Sequence, residues 1–134
     1  MKKLALLLLL AFTSVAQAEN TVGPGAQILC NKVATLAAGP STITQMIAAV
    51  AGQSIFICGW HVTNTAAGGT FSFQNGTGSN CGTGTATLIP ATNVTSSAPS
   101  ADHISLATLQ VPVGNAFCIT PIATISAIIY YSQF

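Results

Sequence analysis

Charge is what this 134-residue sequence most lacks. Its charged residues are Lys2, Lys3, Lys32, Glu19 and Asp102, 4% of the chain, where an ordinary soluble domain has roughly a quarter. Arginine is absent. A nucleic-acid binder needs a basic face to neutralise phosphates, and this chain cannot build one. A coiled coil or solvated helical bundle needs Lys and Glu on its outer faces, and these are missing. An enzyme built on a carboxylate pair has only Glu19 and Asp102 to draw on. Long apolar runs are also lacking: the longest, Leu4 to Phe12, is about nine residues, against the ~20 of a membrane-spanning helix. What the chain has is apolar content of 50%, which excludes disorder of the charged kind.

The apolar run belongs to a leader. Lys2 and Lys3 form a basic start, Leu4 to Phe12 the apolar centre, and Ala16-Gln17-Ala18 a small-x-small cleavage site. Residues 1–18 are read as a cleaved secretory signal peptide and residues 19–134 as one domain. Cleavage moves the formal balance from +1 to −1, because Lys32 then stands against Glu19 and Asp102. The expected location is secreted, periplasmic or on a cell or virion surface. No membrane span is expected after cleavage.

Export puts Cys30, Cys58, Cys81 and Cys118 in an oxidising compartment, where paired cysteines persist. Two disulfides are expected. Four cysteines allow three pairings, and sequence does not choose among them. Cys30–Cys58 with Cys81–Cys118 is the arrangement carried forward. The Cys58-Gly-Trp-His61 spacing could suggest zinc, but the other cysteines stand alone rather than in a second close ligand pair. No metal and no cofactor are expected.

The rest reads as short strands between Gly, Pro, Asn and Ser clusters, the pattern of an all-β domain. Strands are expected at 26–32, 54–64, 70–74, 85–89, 104–111, 115–120 and 125–133. Residues 42–50 fit a helix by Ile43, Met46, Ile47 and Val50, yet their β-branched start and uncharged ends favour a strand. In 54–64, simple alternation puts Phe56, Cys58, Trp60 and Val62 on one face and Ile55, Ile57 and His61 on the other. Residues 65–69 are read as a hairpin joining 54–64 to 70–74, and 115–133 as a final hairpin. Residues 76–84, with four glycines and Cys81, are read as a long disulfide-pinned turn. Pro90 is expected to close its strand, and 91–102 to be an exposed loop. Eight short strands fit a single-domain antiparallel β-sandwich or jelly roll.

Catalytic chemistry finds little to use. His61 sits in an apolar strand, and Asp102 and His103 are adjacent, so on a strand they point to opposite faces and form no dyad. No G-x-S-x-G elbow is present. The glycine-rich turn lacks the Lys and the following helix of a phosphate loop. No catalytic residue is assigned. For ligand contact the candidates are Trp60, Tyr130 and Tyr131, since exposed Trp or Tyr can stack on sugar rings. Tyr130 and Tyr131 are neighbours on a strand, so one is expected to face outward.

Four segments carry a resemblance: residues 51–73 with the Gly52-x-x-Ile55-x-x-Cys58 start, 76–88 with the GTG-x-x-C turn, 112–120 with Gly114-Asn115-Ala116-x-Cys118, and the Ile-Ile-Tyr-Tyr-Ser-Gln-Phe end at 128–134. The segments contain 52 residues and lie within 51–134, a stretch of about 80 of the 134. The chain resembles a group of small, uncharacterised phage- and bacteria-associated disulfide-containing jelly-roll proteins. It departs from them in carrying a leader. The resemblance implies a jelly-roll fold and a virion-decoration or tail-associated role. The expectation is therefore a non-enzymatic, exported structural or binding module that self-assembles as a homo-oligomer. A glycan-binding sandwich is the alternative, and a small secreted hydrolase the remote one. Expected partners are copies of the chain, a surface glycan, or a virion or cell-surface protein, with no nucleic acid.

Overall fold

The computed structural model describes residues 28–37, 42–64, 68–95, 100–103, 109–122 and 124–134, with backbone only for 100–103. The leader and the rest of 1–27 lie outside the described residues. The strands are β1 Lys32–Leu36, β2 Thr44–Ile47, β3 Ile55–Asn64, β4 Gly69–Thr77, β5 Thr83–Val94, β6 Ser100–His103, β7 Leu109–Val111, β8 Ala116–Pro121 and β9 Ile125–Gln133. A short 3-10 turn at Ser79–Cys81 joins β4 to β5.

Two antiparallel sheets form. One runs β1-β9-β3-β6, with β7 beside β6 on the same edge of β3; the other runs β2-β8-β4-β5. The pairings nest. The hairpin β4–β5 is innermost, β3 pairs β6 and β7, β2 pairs β8, and β1 pairs β9 outermost. One long folded-back ribbon is thus rolled into two layers, which is the jelly-roll arrangement. Both disulfides form, Cys30–Cys58 and Cys81–Cys118, with Cα separations of 6.1 and 6.3 Å. They fit an oxidising, extracytoplasmic setting. No helix among the described residues is long and apolar enough to cross a membrane.

The core fills the space between the layers. Phe71, Phe73 and Phe117 from one sheet meet Ile55, Ile57, Trp60, Val62 and Ile129 from the other. Phe73 is the hub: its ring centroid lies 5.0 Å from both Phe71 and Phe117, and 5.3 Å from Trp60 in an edge-on contact. Each such fully buried aromatic contributes on the order of 2–3 kcal/mol by area.

The segment 42–50 holds a strand at Thr44–Ile47, as its β-branched start favoured. Several other expectations change. Of the expected strand 26–32, residues 28–31 are not strand, the first described strand begins at Lys32, and 26–27 lie outside the described residues. The two-face reading of β3 fails because a bulge interrupts it: Ile57 pairs with Tyr131 and Gly59 with Tyr130, leaving Cys58 as the extra residue. One inserted residue reverses the alternation. Ile55 and Ile57 face the core before it, Trp60 and Val62 after it, and Phe56 and His61 fall on the outer face. Residues 65–69 do not join a hairpin, since β3 and β4 lie in different sheets; β8 and β9 are likewise in different sheets. Pro90 does not close β5. Phe71 pairs with Thr92 and Phe73 with Ile89, so Pro90 and Ala91 together oppose Ser72 in a bulge on an edge strand, where a missing N–H is tolerated. Residues 91–94 therefore continue β5, and Ser100–His103, including the Asp102-His103 pair, form β6. Of the expected strand 104–111, residues 109–111 are β7, and 104–108 lie outside the described residues.

Candidate functional site: the outer face of the β1–β9–β3 sheet

The two outer faces are finished differently. On the β2-β8-β4-β5 sheet, the turn at 79–83 folds back over β4. This close approach requires Gly76: a Cβ there would lie 2.9 Å from the carbonyl oxygens of Cys81 and Thr83. Cys81, Ala116 and Cys118 form a small buried cluster under the turn. Asn80, in the left-handed region at φ 50°, accepts a hydrogen bond from the Gln45 N–H at 3.1 Å and ties the turn to β2. Asn and Asp tolerate that backbone better than other side chains.

On the other sheet, residues 28–31 lie over one end only. Cys30 is bonded to Cys58 at the bulge, and the Ser132 hydroxyl donates to the Leu29 carbonyl. Phe134 stacks on Phe56 with centroids 4.9 Å apart, and its backbone exchanges hydrogen bonds with Ser54. Farther along that face Val33, Thr35 and Tyr130 are exposed and His61, Thr63, Ser126 and Ile128 partly exposed. Register places Val33, Tyr130 and Gly59 in one cross-strand row and Thr35, Ile128 and His61 in the next, with Ser126 and Thr63 beyond. Cross-strand neighbours on such a face are about 5 Å apart, so these side chains form one surface. Val33 is 55% exposed and Tyr130 36%. Gly59 brings no side chain to Tyr130's row. None of these eight residues is charged; Lys32 instead lies over the Tyr131 ring, 5.9 Å from its centroid.

The three aromatic candidates are separated. Trp60 is buried at 6% exposure against Phe73 and presents no face to a ligand; the bulge at Cys58 turned it inward. Tyr131 packs partly against the core. Tyr130 is the outward member of the pair. The pairing partners of His61 are Ile128 and Ala101, neither of which can polarise an imidazole for proton transfer. Among the described residues, no group of three or more His, Cys, Asp or Glu side chains is placed to hold a metal. The four cysteines are disulfide-bonded. Sequence reasoning missed the bulge, although Cys58-Gly59 inside a strand carried its signal, since an interior glycine often marks one. Compared with models of known protein families and with characterised proteins, the chain matches none.

Proposed function

We propose that this chain is an exported, non-enzymatic structural or binding module that associates with copies of itself, as a virion or cell-surface accessory. The observation that carries this reading is the exposed outer face around Val33 and Tyr130, partly apolar and without Lys, Arg, Asp or Glu, in a disulfide-stapled jelly roll. Charged residues normally keep such surfaces apart, and here they are missing. The jelly-roll layout, which serves capsid and lectin domains among others, supports the class by analogy of fold alone. Light scattering on the oxidised mature protein tests it: mass should rise with concentration, and a constant monomer mass would overturn the reading.

Tyr130 favours glycan binding as a second reading. Its ring stands one row from Thr35 and His61, which could hydrogen-bond hydroxyls around a stacked sugar. A glycan array on wild type and Tyr130→Ala decides it; equal signals would remove it.

A further inference from the structure

A sheet edge that is regular, long enough and uncharged is a template for another strand. The described edges of this molecule differ in how they are closed. The β5 edge carries three irregularities against β4, between Phe71 and Phe73, between Phe73 and Gln74, and between Asn75 and Thr77, and it also holds Pro90. Bulges and proline are two standard ways of blunting an edge. The β2 edge is four residues long, is bulged between Gln45 and Ile47, and has its Gln45 N–H already bonded to Asn80. The edge beyond β3 is shared by two short pieces, β6 and β7. Only β1 has no bulge, proline or capped N–H, and its one charge, Lys32, stands at its first residue. Its five residues pair with β9 in unbroken register from Lys32–Tyr131 to Leu36–Ala127, and among the described residues no strand pairs with its other side.

Resting on the self-association reading above, we propose that β1 of a second copy adds antiparallel to this edge, about a two-fold axis at Ala34, and joins two sheets into one. The two-fold makes the occupant self-consistent, because both partners bring the same regular, uncapped edge. Val33 then faces the partner's Thr35 on the outer side, and Ala34 faces Ala34, so exposed apolar surface at Val33 is covered next to Tyr130. Charge does not oppose the pairing. Lys32 faces the partner's Leu36, and the two Lys32 positions stand four residues apart, about 14 Å along the strands. That exceeds the ~8 Å screening length at physiological salt. A five-residue ladder is short of a standard interface of about 1,600 Å², so association is concentration-dependent.

Sedimentation velocity on the oxidised full mature chain tests the register directly. Residues 33 and 35 are both outward-facing and exposed, so they can be changed without touching the core. The double variant Val33→Lys with Thr35→Lys sets like charges opposite each other twice, and dimerisation should weaken by at least about tenfold. The pair Val33→Glu with Thr35→Lys sets opposite charges across the same axis and should restore it. Circular dichroism on each variant verifies the fold. If wild type stays monomeric up to about 1 mM, both this proposal and the self-association reading fall. If wild type associates and the two-lysine variant associates equally, the β1 edge is wrong while self-association stands. Failure of the Glu/Lys pair to restore dimers would overturn the two-fold at Ala34.

Discussion

The two disulfides look equivalent in the chain and are unlike in the fold. Cys30–Cys58 spans 28 residues and Cys81–Cys118 spans 37. Loop closure of either length stabilises by about 3.5–4 kcal/mol, so chain entropy does not separate them. Burial does. Cys81 and Cys118 are fully buried at 0% exposure, under a turn that also requires Gly76 and Asn80. Cys30 and Cys58 are half-buried, and they hold an arriving segment against a bulge. One bond buries one end of a sheet's outer face under a turn, and the other ties down an end of the chain beside the exposed rows of Val33 and Tyr130. A protein short of charge covers its surfaces here with backbone geometry, and it does so over one end of each sheet, leaving most of β5 exposed.

Removing each bond should break this comparison most visibly. Replacing Cys81 and Cys118 together with Ala should cost about 4–5 kcal/mol, because the loss of the cross-link adds to a cavity in a sealed cluster. Replacing Cys30 and Cys58 with Ala should cost about 3 kcal/mol. Urea denaturation of both variants measures the difference, and equal losses would show that burial does not separate the two bonds. In graded reductant, thiol labelling followed by mass spectrometry should find Cys30 and Cys58 modified first. Gly76→Ala comes next. Its added methyl meets backbone oxygens at 2.9 Å that no rotamer change can move aside, so about 2–3 kcal/mol should be lost; a melting temperature unchanged from wild type would mean that the turn lifts freely. The smallest effect has the opposite sign. The Thr120 hydroxyl is buried without a hydrogen-bond partner, so Thr120→Val should stabilise by about 0.5–1 kcal/mol in the same titration.

Much of this was legible from residue types. Paired cysteines were legible in their even number and in the export expected from residues 1–18, and Phe71 and Phe73 alternate with Thr70, Ser72 and Gln74 as a half-buried strand should. The turn at 76–84 declared itself by its glycines. What could not be read was which strands pair. Nearby strands suggested hairpins at 65–69 and 115–133, but a rolled ribbon pairs segments far apart in sequence, and nothing local marks the crossing from one sheet to the other. Trp60 was misplaced for a physical reason of the same kind: alternation runs only until a bulge, and Cys58 shifts every later side chain of β3 to the other face. Pro90 was misread because an edge strand has no partner to miss its N–H. The open face was therefore legible in the Tyr130-Tyr131 pair, while its other members came together only through register.

The nested pairing also sets a timetable. The ladder between β4 and β5 closes over a few residues, whereas β1 waits for β9, the last of the described strands. Non-local ladders of this kind fold slowly, because long loops must close before contacts reward them. A chain emerging N-terminus first therefore cannot complete the β1-β9-β3 sheet until β9 is free. Until then β3 lacks its β9 neighbour, and the β1 segment has nothing to pair with. Under the export proposed above, such an order lets the polypeptide stay unfolded during passage and acquire its finished shape only on release.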